Sequence, residues 1–280
     1  MGLKILHLHL HGLIRSSNLE LGRDPDTGGQ TQYVLELVKS LANTNGVEQV
    51  DLVTRLIKDK RVNDQYSNEK EFIELGARIL RFEFGPQKYL RKELLWPFLE
   101  ELISKLCKFY EKPENRPDWI HAHYADAGYV GVRLSKKLKI PLVFTAHSLG
   151  REKKRRLLDA GLTQNQIEKS YCISKRISAE EEAIKVASMI VTSTKQESVC
   201  QYSTYKSFES LKARVISPGV DYKKFHHIHS TTETSDIDNM MNPFLTDSFK
   251  PPLLAISRAV RRKNVPSLVE AFGRSDKLKK

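Results

Sequence analysis

Residues 119–151 read WIHAHYADAGYVGVRLSKKLKIPLVFTAHSLGR, and the fold can be argued outward from them. Trp119–His123 and Leu142–Ala146 are short runs rich in Ile, Val, Leu or Phe, the composition of strands buried on both faces. Between them Gly128–Leu138 has helical length and spacing. Strand, helix and strand in so short a stretch predict a parallel βαβ unit. Each strand runs out into polar side chains: His121, His123, Tyr124 and Asp126 after the first, Thr145, His147, Ser148 and Arg151 after the second.

The same rhythm extends in both directions. Further strands are expected at Leu3–Leu10, Val50–Ile57, Ala77–Phe84, Met189–Ser193, Arg214–Ser217 and Leu253–Ser257, and helices at Thr31–Asn43, Glu93–Tyr110 and Thr163–Ala187. The last opens on a T-x-x-Q capping box, Thr163 with Gln166, before a stripe of Ile167, Tyr171, Ser174 and Ile177. This alternation predicts an α/β fold: a doubly wound, Rossmann-like parallel sheet with helices on both faces. Residues 1–225 would form that domain. Residues 226–250 are polar, without periodicity, and read as a linker or insertion. Residues 251–280 hold one extra β-α unit, with Asn264 as N-cap and Pro266 in the helix's first turn.

Composition narrows the function. Of 280 residues, 46 are Lys or Arg and 34 Asp or Glu, for a net charge of +12. Such a charge suits nucleic acid, an anionic surface or phosphorylated small molecules. Zinc-finger spacing, an RNP aromatic motif and a sustained basic repeat are all missing, so nucleic acid is the weakest of these. Cys107, Cys172 and Cys200 are scattered, which argues against a disulfide framework or zinc site. The apolar start is interrupted by histidines, and Leu6 stands where myristoylation needs Ser or Thr. There is no run of about 18 apolar residues to span a membrane. A cytoplasmic protein with no membrane partner is the expectation.

In doubly wound sheets ligands bind beyond the carboxyl ends of the strands. After the first strand comes Asp24-Pro25-Asp26-Thr27-Gly28-Gly29-Gln30-Thr31. A Gly-Gly pair before a helix lets backbone N–H groups approach an anion, although a plain turn explains it equally well. It is neither G-x-G-x-x-G nor a P-loop, which disfavours dinucleotide and ATP sites. The polar groups after strands four and five suit a hydroxyl-rich ligand such as a sugar. His147 is the chemically pointed one, against the alternative of a satisfied core histidine. His7, His9 and His11 alternate on one strand face as metal ligands do, but without Cys or carboxylate partners no metal is expected. Two basic clusters follow strand ends: Arg151-Glu152-Lys153-Lys154-Arg155-Arg156, with Lys175-Arg176 on the long helix, and Arg258, Arg261, Arg262 and Lys263. Such runs are usually solvated helix faces, yet at a strand end they can hold phosphate.

Six segments together resemble the sucrose-phosphate synthase family, with sucrose synthase the next relative. They are Asp26–Gln30 (DTGGQ), Lys92–Pro97 (KELLWP), His123–Gly128 (HYADAG), His147–Arg151 (HSLGR), Val191–Glu197 (VTSTKQE) and Ser217–Asp221 (SPGVD). The resemblance implies the N-terminal half of a GT-B fold, two Rossmann-like domains facing across a cleft. It implies transfer of glucose from UDP-glucose to fructose 6-phosphate with retention, giving sucrose 6-phosphate, with no metal or other cofactor. By position, Gly28 and Gly29 would line the donor side of the cleft and Gln30 the acceptor side. Lys92, Lys153 and Arg176 would bind the acceptor phosphate, and Tyr124 and Asp126 its hydroxyls. His147 would serve the reacting donor glucose, and Arg258 and Lys263 would neutralise the UDP diphosphate.

Two departures matter. Ser257-Arg258 is followed by Ala259-Val260 where the family carries an Asp, and the rest of the donor domain, with its Glu-x7-Glu element, has no counterpart in these 280 residues. The expectation is therefore an enzyme of this type with low activity as this chain alone. The alternatives are a non-catalytic sugar-phosphate-binding module, paired with a separate donor-domain or phosphatase chain, and, more remotely, nucleic-acid binding.

Overall fold

Apolar runs become strands wherever both faces are covered. The computed structural model describes residues 2–222, 225, 235–247, 250–257 and 263–279, without the side chains of 235–236. Eight strands form one sheet: β1 (Leu3–Leu8), β2 (Val47–Arg55), β3 (Lys70–Glu74), β4 (Ala77–Phe82), β5 (Trp119–His123), β6 (Leu142–Thr145), β7 (Met189–Thr192) and β8 (Ala213–Val215). Their order is β3-β4-β2-β1-β5-β6-β7-β8, all parallel except β3, which runs antiparallel to β4. The chain winds outward from β1 through β2 to β4, then crosses back to β5 on the other side of β1. The β1/β5 junction is therefore the switch point, where adjacent crossovers leave on opposite faces and open a crevice.

The helices of this sheet are α1 (Gly29–Ala42), α2 (Leu99–Tyr110), α3 (Ala125–Leu138), α4 (Gly150–Asp159), α5 (Gln164–Tyr171) and α6 (Ile173–Val186). They build two cores. On one face Leu6, Leu8, Ile120 and Ala122 pack with α2, α3 and α6. On the other Ile5, Val50 and Leu52 pack with Val34, Leu35 and Val38 of α1. Alternation along a strand divides the residues between the faces. Helix α2 shows the matching helical stripe, with Leu99, Leu102, Ile103, Leu106 and Tyr110 buried. Each such side chain contributes about 1.5–3 kcal/mol by leaving water.

Several expectations change. Helix α2 begins at Leu99, after two 3-10 turns at Lys92–Leu94 and Trp96–Phe98; Pro97 lacks an N–H and cannot sit inside a helix. The long helix expected over 163–187 is two helices, because Cys172 adopts φ +46° between α5 and α6. Its capping box is present, with both Thr163–Gln166 bonds made. The run 151–156 is itself helical, as α4. Strand β3 carries no apolar run and exposes Phe72, as a charged, antiparallel edge can.

Contacts divide the chain into Met1–Pro218 and Gly219–Lys280. In the second unit α7 (Ser235–Met241), α8 (Val265–Arg274) and α9 (Asp276–Lys279) are helical. Leu253–Ser257 is not a strand, and Leu253, Leu254 and Ile256 are exposed. A parallel strand needs neighbours, and this unit has no other strand among its described residues. The α8 start falls where its signals place it, with Pro266 in the first turn and Asn264 at the N-cap position, but Asn264 is left-handed at φ +54° and its side chain makes no capping bond. Among the described residues no helix is long and apolar enough to cross a membrane.

Candidate functional site

The crevice at the switch point is walled by the segments after β1, β5 and β6. The first is held by a latch around Asp24. Its carboxylate accepts from the Asp26 and Thr27 amides (2.8 and 3.0 Å), the Thr27 hydroxyl (2.7 Å) and the Tyr89 hydroxyl (2.7 Å). Gly12 turns the chain at φ +78°, and a Cβ there would lie 2.7 Å from the Asp26 carbonyl oxygen. No larger residue fits. The latch delivers the chain to α1, whose N-cap, Gly28, has no side-chain bond, and a Cβ on Gly29 would meet nothing within 4 Å. The helix thus opens on uncovered backbone.

At the ends of β5 and β6 the backbone is strained. Tyr124 has φ +81° and ψ 173°, a region that glycine ordinarily monopolises. It is held by its N–H donating to the Thr145 carbonyl (2.8 Å) and by its carbonyl accepting from Gly128 (2.8 Å). His147 has φ +55°, and the Ser148 N–H donates to the Ala146 carbonyl at 2.6 Å, closing a tight turn about it. Strain of this kind persists where the surroundings over-determine it, and it gathers at functional sites.

Five histidines floor the crevice, His7, His9, His121 and His123 buried and His147 partly exposed. His7, His9, His121 and His123 all lie on the α1 face of β1 and β5, because Leu6, Leu8, Ile120 and Ala122 alternate with them. Burial, reinforced by the histidines around it, drives His147 down to about pKa 3. His7 falls to about 3 by burial alone, and His9, His121 and His123 are lowered likewise. All five are neutral at physiological pH. Hydrogen bonds link them: His7 Nδ1 to His123 Nε2 (2.9 Å), His123 Nδ1 to His147 Nε2 (3.0 Å) and His121 Nε2 to Thr145 Oγ1 (2.8 Å). Gln30 Nε2 donates to His9 Nδ1 (3.1 Å), and the Tyr33 ring meets His147 edge-on with centroids 5.2 Å apart. The histidines near enough to share an ion are His7, His121 and His123, within 4.8 Å of one another, rather than the His7, His9 and His11 of the sequence pattern.

Beyond the histidines lie cations. Arg176 is buried; its Nε pairs with Glu180 (2.8 Å), it donates to the Ser148 carbonyl and hydroxyl (2.7 and 2.9 Å), and its guanidinium lies over the Tyr124 ring at 4.5 Å. Glu180 also accepts from the Gly150 amide (2.8 Å) and the Tyr205 hydroxyl. Lys92 pairs with Asp26 through both its ammonium and its amide. Burial alone would raise the Asp26 carboxyl, but Lys92 and His11 hold it below the usual range. Lys153 differs from both. Its ammonium sits over the Tyr171 ring at 3.6 Å and, among the described residues, makes no ion pair. Burial, then Arg176 and Lys92, push its pKa down to about 8. The three cations therefore share one neighbourhood in which Lys153 makes no ion pair of its own among the described residues, Glu93 and Asp26 only partly offsetting the cations around it.

The structure thus gathers Gly28, Gly29, Gln30, Lys92, Tyr124, Asp126, His147, Lys153 and Arg176 around one crevice. Asp126 is buried and bonded to His11 Nδ1 at 2.8 Å. Within α4, Arg155 and Arg156 pair outward with Glu152, whereas Arg151 turns onto Glu181 and Tyr205 and Lys153 turns toward the cations of the crevice. Arg258 lies outside the described residues. Lys263 is exposed in the second unit. Sequence reasoning overlooked Glu180, four residues after Arg176 and open to an i,i+4 test. It also overlooked Tyr33 and the role of His123, although His121-x-His123 repeats the alternation noticed in β1.

Residues 2–232 match the family described as sucrose synthase first GT-B domain. The chain is 36% identical over 338 aligned positions to sucrose-phosphate synthase 4 of Arabidopsis thaliana, covering 99% of this chain and 32% of that protein. It is 37% identical over 335 positions to probable sucrose-phosphate synthase 1 of Oryza sativa subsp. indica, covering 97% and 31%. The chain spans about a third of the length of these relatives. Its fold is similar to that of sucrose-phosphate synthase from Thermosynechococcus elongatus, with a TM-score of 0.72 at 22% identity, covering 98% of this chain and 60% of that one. Doubly wound sheet, switch-point crevice and matched sequence agree: the chain belongs to the GT-B glycosyltransferase family of sucrose synthase and sucrose-phosphate synthase and carries its first GT-B domain.

Proposed function

We propose that this domain binds the acceptor in a glycosyl transfer of the sucrose-phosphate synthase type, from UDP-glucose to fructose 6-phosphate with retention, giving sucrose 6-phosphate. The supporting observation is Lys153, an unpaired ammonium whose pKa is depressed toward 8 by burial beside Arg176 and Lys92. A site that crowds cations without a carboxylate for one of them is preorganised for a dianion such as a phosphate monoester. Lys153 supplies the point charge there. Arg176, clamped by Glu180, and Lys92, clamped by Asp26, complete the field. Tyr124 and Gln30 face the acceptor hydroxyls, with Asp126 behind them bonded to His11, and neutral His147 hydrogen-bonds the donor glucose without placing a charge beside it.

No side chain of this domain needs to act as a nucleophile in such a reaction. Charge develops on the departing UDP, and the resemblance assigns its neutralisation to Arg258 and Lys263 of the second unit. Gly28 and Gly29 would take the donor side. The alternative is a sugar-phosphate-binding module without turnover by itself. Two measurements separate these. Fructose 6-phosphate should raise the melting temperature of this chain through linkage, and Lys153→Ala should shrink that rise at the same ligand concentration; a rise left undiminished refutes the phosphate site. Incubation with UDP-glucose and fructose 6-phosphate then decides turnover, and sucrose 6-phosphate formed by this chain alone excludes the module.

A further inference from the structure

The buried rings impose a direction on their hydrogen bonds. A neutral imidazole has one N–H and one bare nitrogen, and His7, His123 and His147 are all held neutral by burial. They form a chain: His7 Nδ1 to His123 Nε2 at 2.9 Å, then His123 Nδ1 to His147 Nε2 at 3.0 Å. Both bonds can be made in two ways only. Either every ring carries its proton on Nδ1 and donates toward His147, or every ring carries it on Nε2 and donates toward His7. The two differ at the closed end of the chain. His7 Nε2 is buried without a hydrogen-bond partner among the described residues. In the first arrangement it is a bare nitrogen, and in the second an N–H with no acceptor. Orphaned buried N–H groups are the rarer and costlier kind, so the first arrangement prevails.

We propose that this chain fixes His147 as its Nδ1–H tautomer, making it an N–H donor to a ligand oxygen in the crevice. His123 is the positioning residue, and the closed end at His7 sets the direction. The proton cannot stay on His147 Nε2, because that nitrogen is the acceptor of the His123 N–H. The outcome is unusual, since a free histidine in water favours Nε2–H. His147 Nδ1 makes no hydrogen bond among the described residues, and the residue is partly exposed, so the donor is available. That the oxygen belongs to a sugar rests on the function proposed above; the tautomer does not.

The test is long-range proton–nitrogen NMR on the 15N-labelled chain, with His147 signals assigned by their loss in His147→Gln. A pyrrole-type Nδ1 and a pyridine-type Nε2 are expected at both His147 and His123, and the reverse pattern at His147 overturns the proposal. In His123→Leu the His147 ring should revert to Nε2–H; retention of Nδ1–H shows that His123 does not position it. Should that variant fail to fold, His7→Leu carries the test. There His123 Nε2 becomes the bare end, so His147 should keep Nδ1–H, and a switch refutes the argument. Thermal shifts with fructose 6-phosphate on the same wild-type sample keep the two ideas apart. No shift with Nδ1–H intact defeats the sugar-phosphate reading and leaves the tautomer standing.

Discussion

The two ends of one sheet treat charge in opposite ways. At the amino ends buried charge is paired: Asp51 takes two bonds from Arg78 (2.7 and 3.1 Å) and one from the Tyr110 hydroxyl (3.1 Å). Beside it Lys4 donates to the Glu114 carbonyl (2.9 Å), and the Lys4 amide donates to Asp118 (2.7 Å). At the carboxyl ends the chain keeps two non-glycine residues at positive φ, five neutral histidines and a lysine without an ion pair of its own. One end holds the strands together. The other keeps strained backbone and an ammonium without an ion pair, which is why the proposed binding is placed there.

The largest expected effect is at the amino end. Asp51→Ala orphans the buried Tyr110 hydroxyl and Arg78, and should cost about 3 kcal/mol in urea unfolding. The fructose 6-phosphate shift should remain; its loss would break the division between the ends. Next comes Gly150→Ala, whose Cβ would lie 2.8 Å from Glu180 Oε2 and 2.9 Å from Ile177. Overpacking there should cost about 1–3 kcal/mol, and because it disturbs the Glu180–Arg176 pair, binding should weaken as well. Lys153→Ala should behave oppositely. Losing a charge-assisted contact of about 1.5–3 kcal/mol implies roughly 10- to 100-fold weaker sugar-phosphate binding by calorimetry, with the unfolding free energy at neutral pH not lowered, because an ammonium whose pKa burial depresses disfavours the fold.

The same lysine also sets a pH dependence. Lys153 titrates near 8 in the fold against 10.5 when free, so between those values the unfolded chain binds more protons. Wild-type stability relative to Lys153→Ala should therefore rise as pH increases from about 8 to 10.5. Sugar-phosphate affinity should fall over the same range, because the bound dianion needs the protonated ammonium. A flat affinity across pH 8–10 would mean that Lys153 does not touch the phosphate.

Much of this was legible in the residues. Trp119–His123 was readable as a strand because an apolar run with both faces covered has a single use, and the Thr163–Gln166 box because capping is a local hydrogen-bond pattern. The Leu253–Ser257 run was misread for the complementary reason, since its apolar residues become a strand only beside other strands. The break at Cys172 leaves no local signature: it lies inside a continuous helical pattern, and α5 and α6 each pack in their own direction. Lys153 could be proposed from its place after a strand end. Nothing in the run Arg-Glu-Lys-Lys-Arg-Arg says which lysine turns inward, because that depends on how α4 sits over Tyr171.

The sequence by itself determined the class of fold, the polar carboxyl ends of its strands and the family to which they belong, because periodicity and motif are properties of neighbouring residues. Only the tertiary structure decided which groups share the crevice. His7 and His123 are 116 residues apart and Lys92 and Asp26 are 66 apart; the first pair meets because β1 and β5 are neighbours in the sheet, the second because the segment after β4 passes the loop after β1. The pKa of Lys153 and the direction of the histidine chain follow from that meeting, since both depend on which neighbours are present and which nitrogen is left without one.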